Sequence, residues 1–200
     1  MNVPHIINHG AGWFSDMGTG QSKGTKVFSL GGDVNKPGVY ELELGSPLRE
    51  LVATLGEAEN VKAIQIGGAT GRLLPDSMLD TLLSFETVLG AGAVTVFNKE
   101  RDILEIVYQT MEFLADESCG KCTPCRQGTE VMLEMLHRIR QGKLRKTDIA
   151  VFKEISDAMI NASLCGLGQA APNVLMDSLR YFPEAFQDTQ PGKPVAREVH

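Results

Sequence analysis

The sequence predicts an α+β protein in two parts, a small mixed sheet followed by a four-helix bundle. Three observations carry that prediction. Between residues 26 and 98, short runs of alternating apolar and polar residues are bounded by Gly, Pro, Asn and Asp, as in half-buried strands and their turns. Beyond Asn98 the apolar residues recur every three or four positions, the period of amphipathic helices. All 4 cysteines fall in this helical part, three of them packed into one loop. The bundle therefore carries whatever chemistry the thiols perform.

The elements follow in chain order. Asn2 to Phe14 reads as a short helix, with Asn2 as its cap, Pro4 in the first turn and Gly10 or Gly12 ending it. His5 and His9 share one face of it, but nothing nearby completes a metal site, so solvated or interface histidines are the better reading. Ser15 to Gly24 is a glycine-rich loop that lacks the lysine and hydroxyl of a phosphate-binding loop. Lys26–Leu30 and Val39–Leu44 alternate as strands on either side of the turn chemistry Gly31-Gly32-Asp33 and Asn35-Lys36-Pro37-Gly38. Pro47 starts a helix capped by Ser46, with Leu48, Leu51, Val52 and Leu55 on one face. Ala63–Ile66 is a strand ending at Gly67-Gly68, and after a loop containing Pro75, Ala93–Phe97 is the last strand. Gly67-Gly68-Ala69-Thr70-Gly71 can approach a ligand closely, but a turn is the simpler role.

Helices are then expected from Ile103 to the cysteine loop, from Thr129 to Ile139, from Ile149 to Ile160 and from Val174 to Phe182. Together they read as an up-and-down bundle. Met132, Met135, Met159 and Met176 are expected as core filler rather than sulfur ligands. Asp188 to His200, with Pro191, Gly192 and Pro194, reads as a flexible tail.

Composition narrows the function. A hydrophobic fraction of 42% and a charged fraction of 22% suit a soluble globular chain. The formal net charge of -6 disfavours a nucleic-acid partner, and the densest basic patch, Lys143-Leu144-Arg145-Lys146, reads as a solvated helix end. No apolar run reaches the ~20 residues of a membrane span. The start, Met1-Asn2-Val3-Pro4-His5, has no charged and then apolar leader, so no export signal is expected.

The cysteine spacing ranks the chemistry. Cys119, Cys122 and Cys125 form C-x2-C-x2-C, and Cys165 is the remote fourth. Three thiols on a tight loop reach three corners of a compact cubane, and the fold must return the fourth, which favours a 4Fe-4S cluster. A structural zinc site, which pairs its ligands two and two, ranks second. Disulfides between such close neighbours would be strained, and a C-x-x-C redox pair leaves two thiols unexplained. A cubane with four thiolates is anionic, so Lys121 and Arg126 are expected to offset its charge, while Gly120, Gly128, Gly166 and Gly168 let backbone N–H groups approach sulfur. Arg126 opening a helix opposes the helix dipole unless an anion lies there; a plain surface arginine is the alternative. Thiols kept free for a metal suit a reducing compartment, so a cytoplasmic location, or the cytoplasmic face of a membrane through partners, is expected.

The run Glu117-Ser118-Cys119-Gly120-Lys121-Cys122-Thr123-Pro124-Cys125-Arg126-Gln127-Gly128, followed by Ser163-Leu164-Cys165-Gly166-Leu167-Gly168, resembles the C-terminal part of the NADH-binding flavoprotein subunit of respiratory complex I. Related modules occur in NAD-linked hydrogenases and formate dehydrogenases. The resemblance covers nearly the whole chain and implies a β-grasp (SLBB-like) domain over 26–98, a 4Fe-4S helical bundle over 99–187 and a flexible tail over 188–200. Residues 1–25 would then be an N-terminal helix and loop, the remnant of a missing flavin domain, because the family's glycine-rich flavin- and NADH-binding segment does not precede Met1. The chain would be a fragment, or another chain would supply that domain.

The implied function is the electron-transfer part of an NADH-dependent oxidoreductase. Single electrons would pass from reduced FMN through the 4Fe-4S cluster to partner subunits, a 2Fe-2S thioredoxin-like one and a ferredoxin-like one. Gly166 and Leu167 would lie near the flavin. FMN and NADH would bind in the complete assembly, since this chain has no dinucleotide fingerprint. The competing reading is a metal-stapled docking module of a redox complex that carries no electrons itself.

Overall fold

Alternation in the first half of the chain becomes five strands: β1 (Thr25–Gly32), β2 (Gly38–Glu43), β3 (Val61–Ile66), β4 (Arg72–Pro75) and β5 (Ala93–Asn98). The computed structural model describes residues 2–87 and 89–187. The chain divides into two units, Met1–Arg101 and Asp102–His200. In the first, the sheet order is β2-β1-β5-β3-β4. β1 runs parallel to β5, and the other neighbours are antiparallel.

The register explains why the alternation was readable. Leu30 lies opposite Val94, and Val94 opposite Ile66, while Val96, Ile64 and Leu74 make the next row. One face of the sheet is thus apolar across four strands, and all six side chains are buried. Leu48, Leu51 and Val52 complete this core from a helix over 48–55, with Leu55 partly buried beside them. That helix is widened over Glu50–Leu55 into a π-helix, closed by a 3.0 Å bond from Gly56 N–H to the Leu51 carbonyl.

Three local expectations need correction. Ser46 does not cap this helix: Pro47 pairs instead with Leu82 in an isolated bridge, and the Ser46 carbonyl accepts from Leu83 N–H at 2.8 Å. β4 stands where a loop was expected. Both Leu73 and Leu74 are buried, so this short edge strand shows no alternation, and Pro75 is tolerated because it ends the strand. The N-terminal helix is two, α1 (Val3–His9) and α2 (Ala11–Ser15), separated by Gly10 at φ +85°. Asn2 makes no capping bond with its side chain; its Nδ2 donates to Thr25 Oγ1 at 3.4 Å. His5, His9 and the single tryptophan, Trp13, cluster along this segment with centroids 5.6 to 6.3 Å apart, the two imidazoles stacked and the indole tilted against both.

The second unit contains α3 (Ile103–Asp116), α4 (Thr123–Arg140), α5 (Asp148–Ala162), α6 (Gly166–Ala170) and α7 (Asn173–Tyr181), then a 3-10 turn, Pro183–Phe186. Asp102 caps α3 by accepting from Leu104 N–H at 2.9 Å. α3 packs on α4 and α7, α4 packs on α5, and the short α6 lies against α4 and α5. Met132, Met135 and Met159 are buried as core filler, whereas Met176 is half-buried. α4 begins six residues before the expected Thr129, because Pro124 in its first turn is already helix-compatible. This places Cys125 in the first turn of the helix, with Arg126 beside it as expected. α6 was not expected at all. No helix among the described residues is long and apolar enough to cross a membrane. The expected tail, 188–200, lies outside the described residues.

Candidate metal centre

The loop between α3 and α4 is drawn tight by its own backbone and by Arg126. Glu117 N–H bonds to the Phe113 carbonyl at 2.9 Å and Ser118 N–H to the Ala115 carbonyl at 3.2 Å, ending α3. Gly120 then takes φ +71°, a left-handed turn that side-chain-bearing residues resist. The Arg126 guanidinium, reaching back from the first turn of α4, donates through Nη1 to the Gly120 carbonyl and through Nη2 to Thr123 Oγ1 at 3.4 Å. Arg126 therefore straps the segment that carries Cys119 and Cys122. Lys121 is exposed.

Each cysteine sits in a different setting. Cys119 is exposed, Cys122 half-buried, Cys125 buried and Cys165 exposed, and all four are free thiols. Cys122 is the N-cap residue of α4, in extended conformation. Its thiol is held below the usual thiol range, first by the backbone N–H of Leu164 and then by that of Cys125, against the opposing effect of burial. The leading cause is informative, since Leu164 immediately precedes Cys165. The two cysteine-bearing segments, 117–125 and 163–168, meet at Cys122.

They meet a second time at Cys125. Its Sγ lies 3.3 Å from Ser118 Oγ, and its carbonyl accepts from the buried Thr129 hydroxyl at 2.9 Å. Across from it, Gly168 of α6 approaches so closely that an added Cβ would lie 2.8 Å from Cys125 Cβ and 2.5 Å from Ser163 Oγ. Only glycine fits there. Cys165 caps α6 in extended conformation, and Gln169 Nε2 ties the loop to the Ser163 carbonyl at 3.0 Å. Gly166 and Leu167, the residues expected near a flavin, form the first turn of α6, exposed and half-buried respectively.

Ser163 was not singled out by its sequence position. Its hydroxyl lies near the Cys122 thiol and helps favour the thiolate, yet it forms no hydrogen bond of normal geometry and is fully enclosed. Ser118 and Thr129 were likewise invisible as neighbours of a thiol, since nothing in their spacing marks them.

Among the described residues, no three His, Cys, Asp or Glu side chains come together as a site for one metal ion. The four thiols lie on two segments, 117–125 and 163–168, which come into close contact where Gly168 meets Cys125 and the enclosed, unpartnered Ser163 hydroxyl.

The comparisons agree. Residues 105–189 match the family described as the NADH-ubiquinone oxidoreductase-F iron–sulfur binding region. The chain is 36% identical to the NADP-reducing hydrogenase subunit HndC of Solidesulfovibrio fructosivorans, over 93% of this chain and 40% of that protein. It is 34% identical to an NADH-quinone oxidoreductase subunit of Rickettsia typhi, over 93% of this chain and 47% of the relative. A crystal structure of an NAD+-reducing NiFe hydrogenase in the H2-reduced state superposes with a TM-score of 0.88 at 36% identity, covering 95% of this chain and 34% of the other. The chain thus spans less than half the length of these relatives.

Proposed function

We propose that this chain, whose residues 105–189 match the NADH-ubiquinone oxidoreductase-F iron–sulfur binding region, is the one-electron relay of an NADH-linked oxidoreductase. Cys119, Cys122, Cys125 and Cys165 hold a 4Fe-4S cluster, which when bound takes up and releases single electrons. The carrying observation is the meeting of the two cysteine segments, with Leu164 N–H at the Cys122 thiol and Gly168 against Cys125.

The protein's own residues perform three tasks in this reading. Cys125, Thr129, Ser163 and Gly168 are buried and shut water out of the inner side. Arg126 holds the loop through Gly120 and Thr123 and brings positive charge to an anionic site. The exposed Cys119 and Cys165 leave the outer side open to an electron donor and acceptor. Reduced FMN, bound by a flavin domain outside these residues and itself reduced by NADH, is the donor; iron–sulfur subunits of a multi-subunit, membrane-associated or cytoplasmic complex are the acceptors. Gly166 and Leu167 are the segment facing the flavin.

The test uses the chain prepared anaerobically with iron and sulfide. Photoreduced FMN should bleach the absorption near ~400 nm with about one electron taken up per chain, and ferricyanide should restore it. A cluster that stays oxidised in the presence of reduced flavin would overturn the relay and favour the docking module.

A further inference from the structure

We propose that the Ser163 hydroxyl is a built-in hydrogen-bond donor to sulfur of the iron–sulfur centre, on its Cys122–Cys125 side, and raises its reduction potential. The proposal rests on the cluster reading above and assigns a positioning and tuning role that nothing in the spacing of the cysteines requires.

The first observation is that the hydroxyl has nothing else to do. Ser163 is 6% exposed, and its Oγ is enclosed without a hydrogen-bond partner. Its backbone is already satisfied: the N–H bonds to the Met159 carbonyl at 3.1 Å and the carbonyl accepts from Gln169 Nε2. Serines at or near helix ends usually return their hydroxyl to a carbonyl one turn back. The other buried helical serines here do so, Ser156 to the Phe152 carbonyl at 2.7 Å and Ser178 to the Leu175 carbonyl at 2.6 Å. Ser163 does not, because φ -73° and ψ 144° have already turned its backbone out of the helix. An enclosed hydroxyl without a partner is costly and uncommon, so a missing acceptor is the physical reading.

The second observation is where it stands. The space that a Cβ on Gly168 would need is bounded by both Ser163 Oγ and Cys125 Cβ, and the Cys122 thiol lies on the same side. The acceptors that arrive when this site is loaded are thiolate and sulfide sulfurs. A donor to sulfur stabilises the more negative, reduced state more than the oxidised one, which is how such bonds raise a potential.

The whole 200-residue chain, reconstituted anaerobically, is compared with its Ser163→Ala variant. The variant should bind the same amount of iron, and at a fixed solution potential its reduced-to-oxidised ratio should fall by several-fold, up to roughly tenfold, which is about 59 mV for one electron. After exchange into deuterated water, the reduced wild-type centre should show one more strongly coupled deuteron by pulsed EPR than Ser163→Ala, beyond those of exchanged backbone N–H groups. The iron-free variant should melt at the same temperature as the iron-free wild type or higher, because an orphaned hydroxyl has been removed. An unchanged potential, a deuteron spectrum that is the same in the variant as in the wild type, or an iron-free variant that melts lower and no longer loads would each overturn the proposal. The cluster reading fails by a separate result, a wild-type chain that takes up no iron.

Discussion

The sheet unit and the helical unit close their structures by different means. In Met1–Arg101, every strand but the outer edges finds both neighbours, and an apolar layer of Phe28, Leu30, Ile64, Ile66, Val94 and Val96 against Leu51 and Val52 is sealed from water. Among its described residues, no enclosed side-chain nitrogen or oxygen lacks a hydrogen-bond partner. In Asp102–His200, Met132, Leu136, Ile139, Phe152 and Met159 form a comparable core along the helices, but the end holding residues 117–125 and 163–168 does not finish itself. Two thiols are exposed, one hydroxyl has no partner, and the five-residue α6 brings Gly168 tight against Ser163 and Cys125. The sheet unit is stabilised chiefly by apolar burial, whereas that end of the helices exposes two of its thiols.

The largest break in this comparison should come from Cys165→Ser. Loss of the remote ligand should abolish the cluster or leave a three-iron form and lower the melting temperature of the helical unit, while the sheet, followed by hydrogen exchange, keeps its protection. An unchanged spectrum and melting curve would show that Cys165 is not a ligand. Gly168→Ala comes next. Its Cβ would press on Ser163 and Cys125, costing about 1–3 kcal/mol as overpacking and reducing iron occupancy; full occupancy would mean that α6 shifts freely.

Acid sharpens the contrast from the other side. The Arg101 guanidinium holds Asp33 below the usual carboxylate range, with help from Asn98 N–H against burial. The Ser22 and Thr19 hydroxyls hold Glu86 down to about 2. A depressed folded pKa contributes stability that is present above the unfolded value, near ~4, and is lost as pH falls toward the folded value. Both groups belong to the sheet unit, so its protection should weaken between about pH 4 and 2. Arg101 is 57% exposed, so Asp33→Asn should cost less than about 1 kcal/mol at neutral pH and flatten the acid limb; an acid limb identical to wild type would remove Asp33 as its cause. The smallest effect is expected of Arg126→Ala, a potential lowered on the order of tens of millivolts with the cluster retained. An unchanged potential would leave Arg126 as a strap for Gly120 alone.

Legibility in the sequence followed the same divide. Strands buried on one face alternate, so β1, β2 and β5 could be read from period alone, whereas Leu73 and Leu74 of β4 are buried on both sides and left no signal. The long helices were readable because each buries one stripe. The break at Gly10 and the π-helical turn at Glu50–Leu55 were not, since both depend on tertiary fit. Four cysteines at their spacing pointed to a cluster, because ligand chemistry tolerates few substitutes, and the family that residues 105–189 match is described as an iron–sulfur binding region. What surrounds it stayed hidden. A serine ahead of a ligand looks like any helix cap until its hydroxyl is seen to have no carbonyl, and Leu164 contributes a backbone N–H that its side chain cannot advertise.

Metal and acid-labile sulfide analysis of the anaerobically purified wild-type chain, with EPR of the same sample before and after reduction, tests the central claim most directly. About four irons and about four sulfides per chain, and a paramagnetic signal that appears on reduction, are the expected result. A colourless protein holding about one zinc and no sulfide would contradict it.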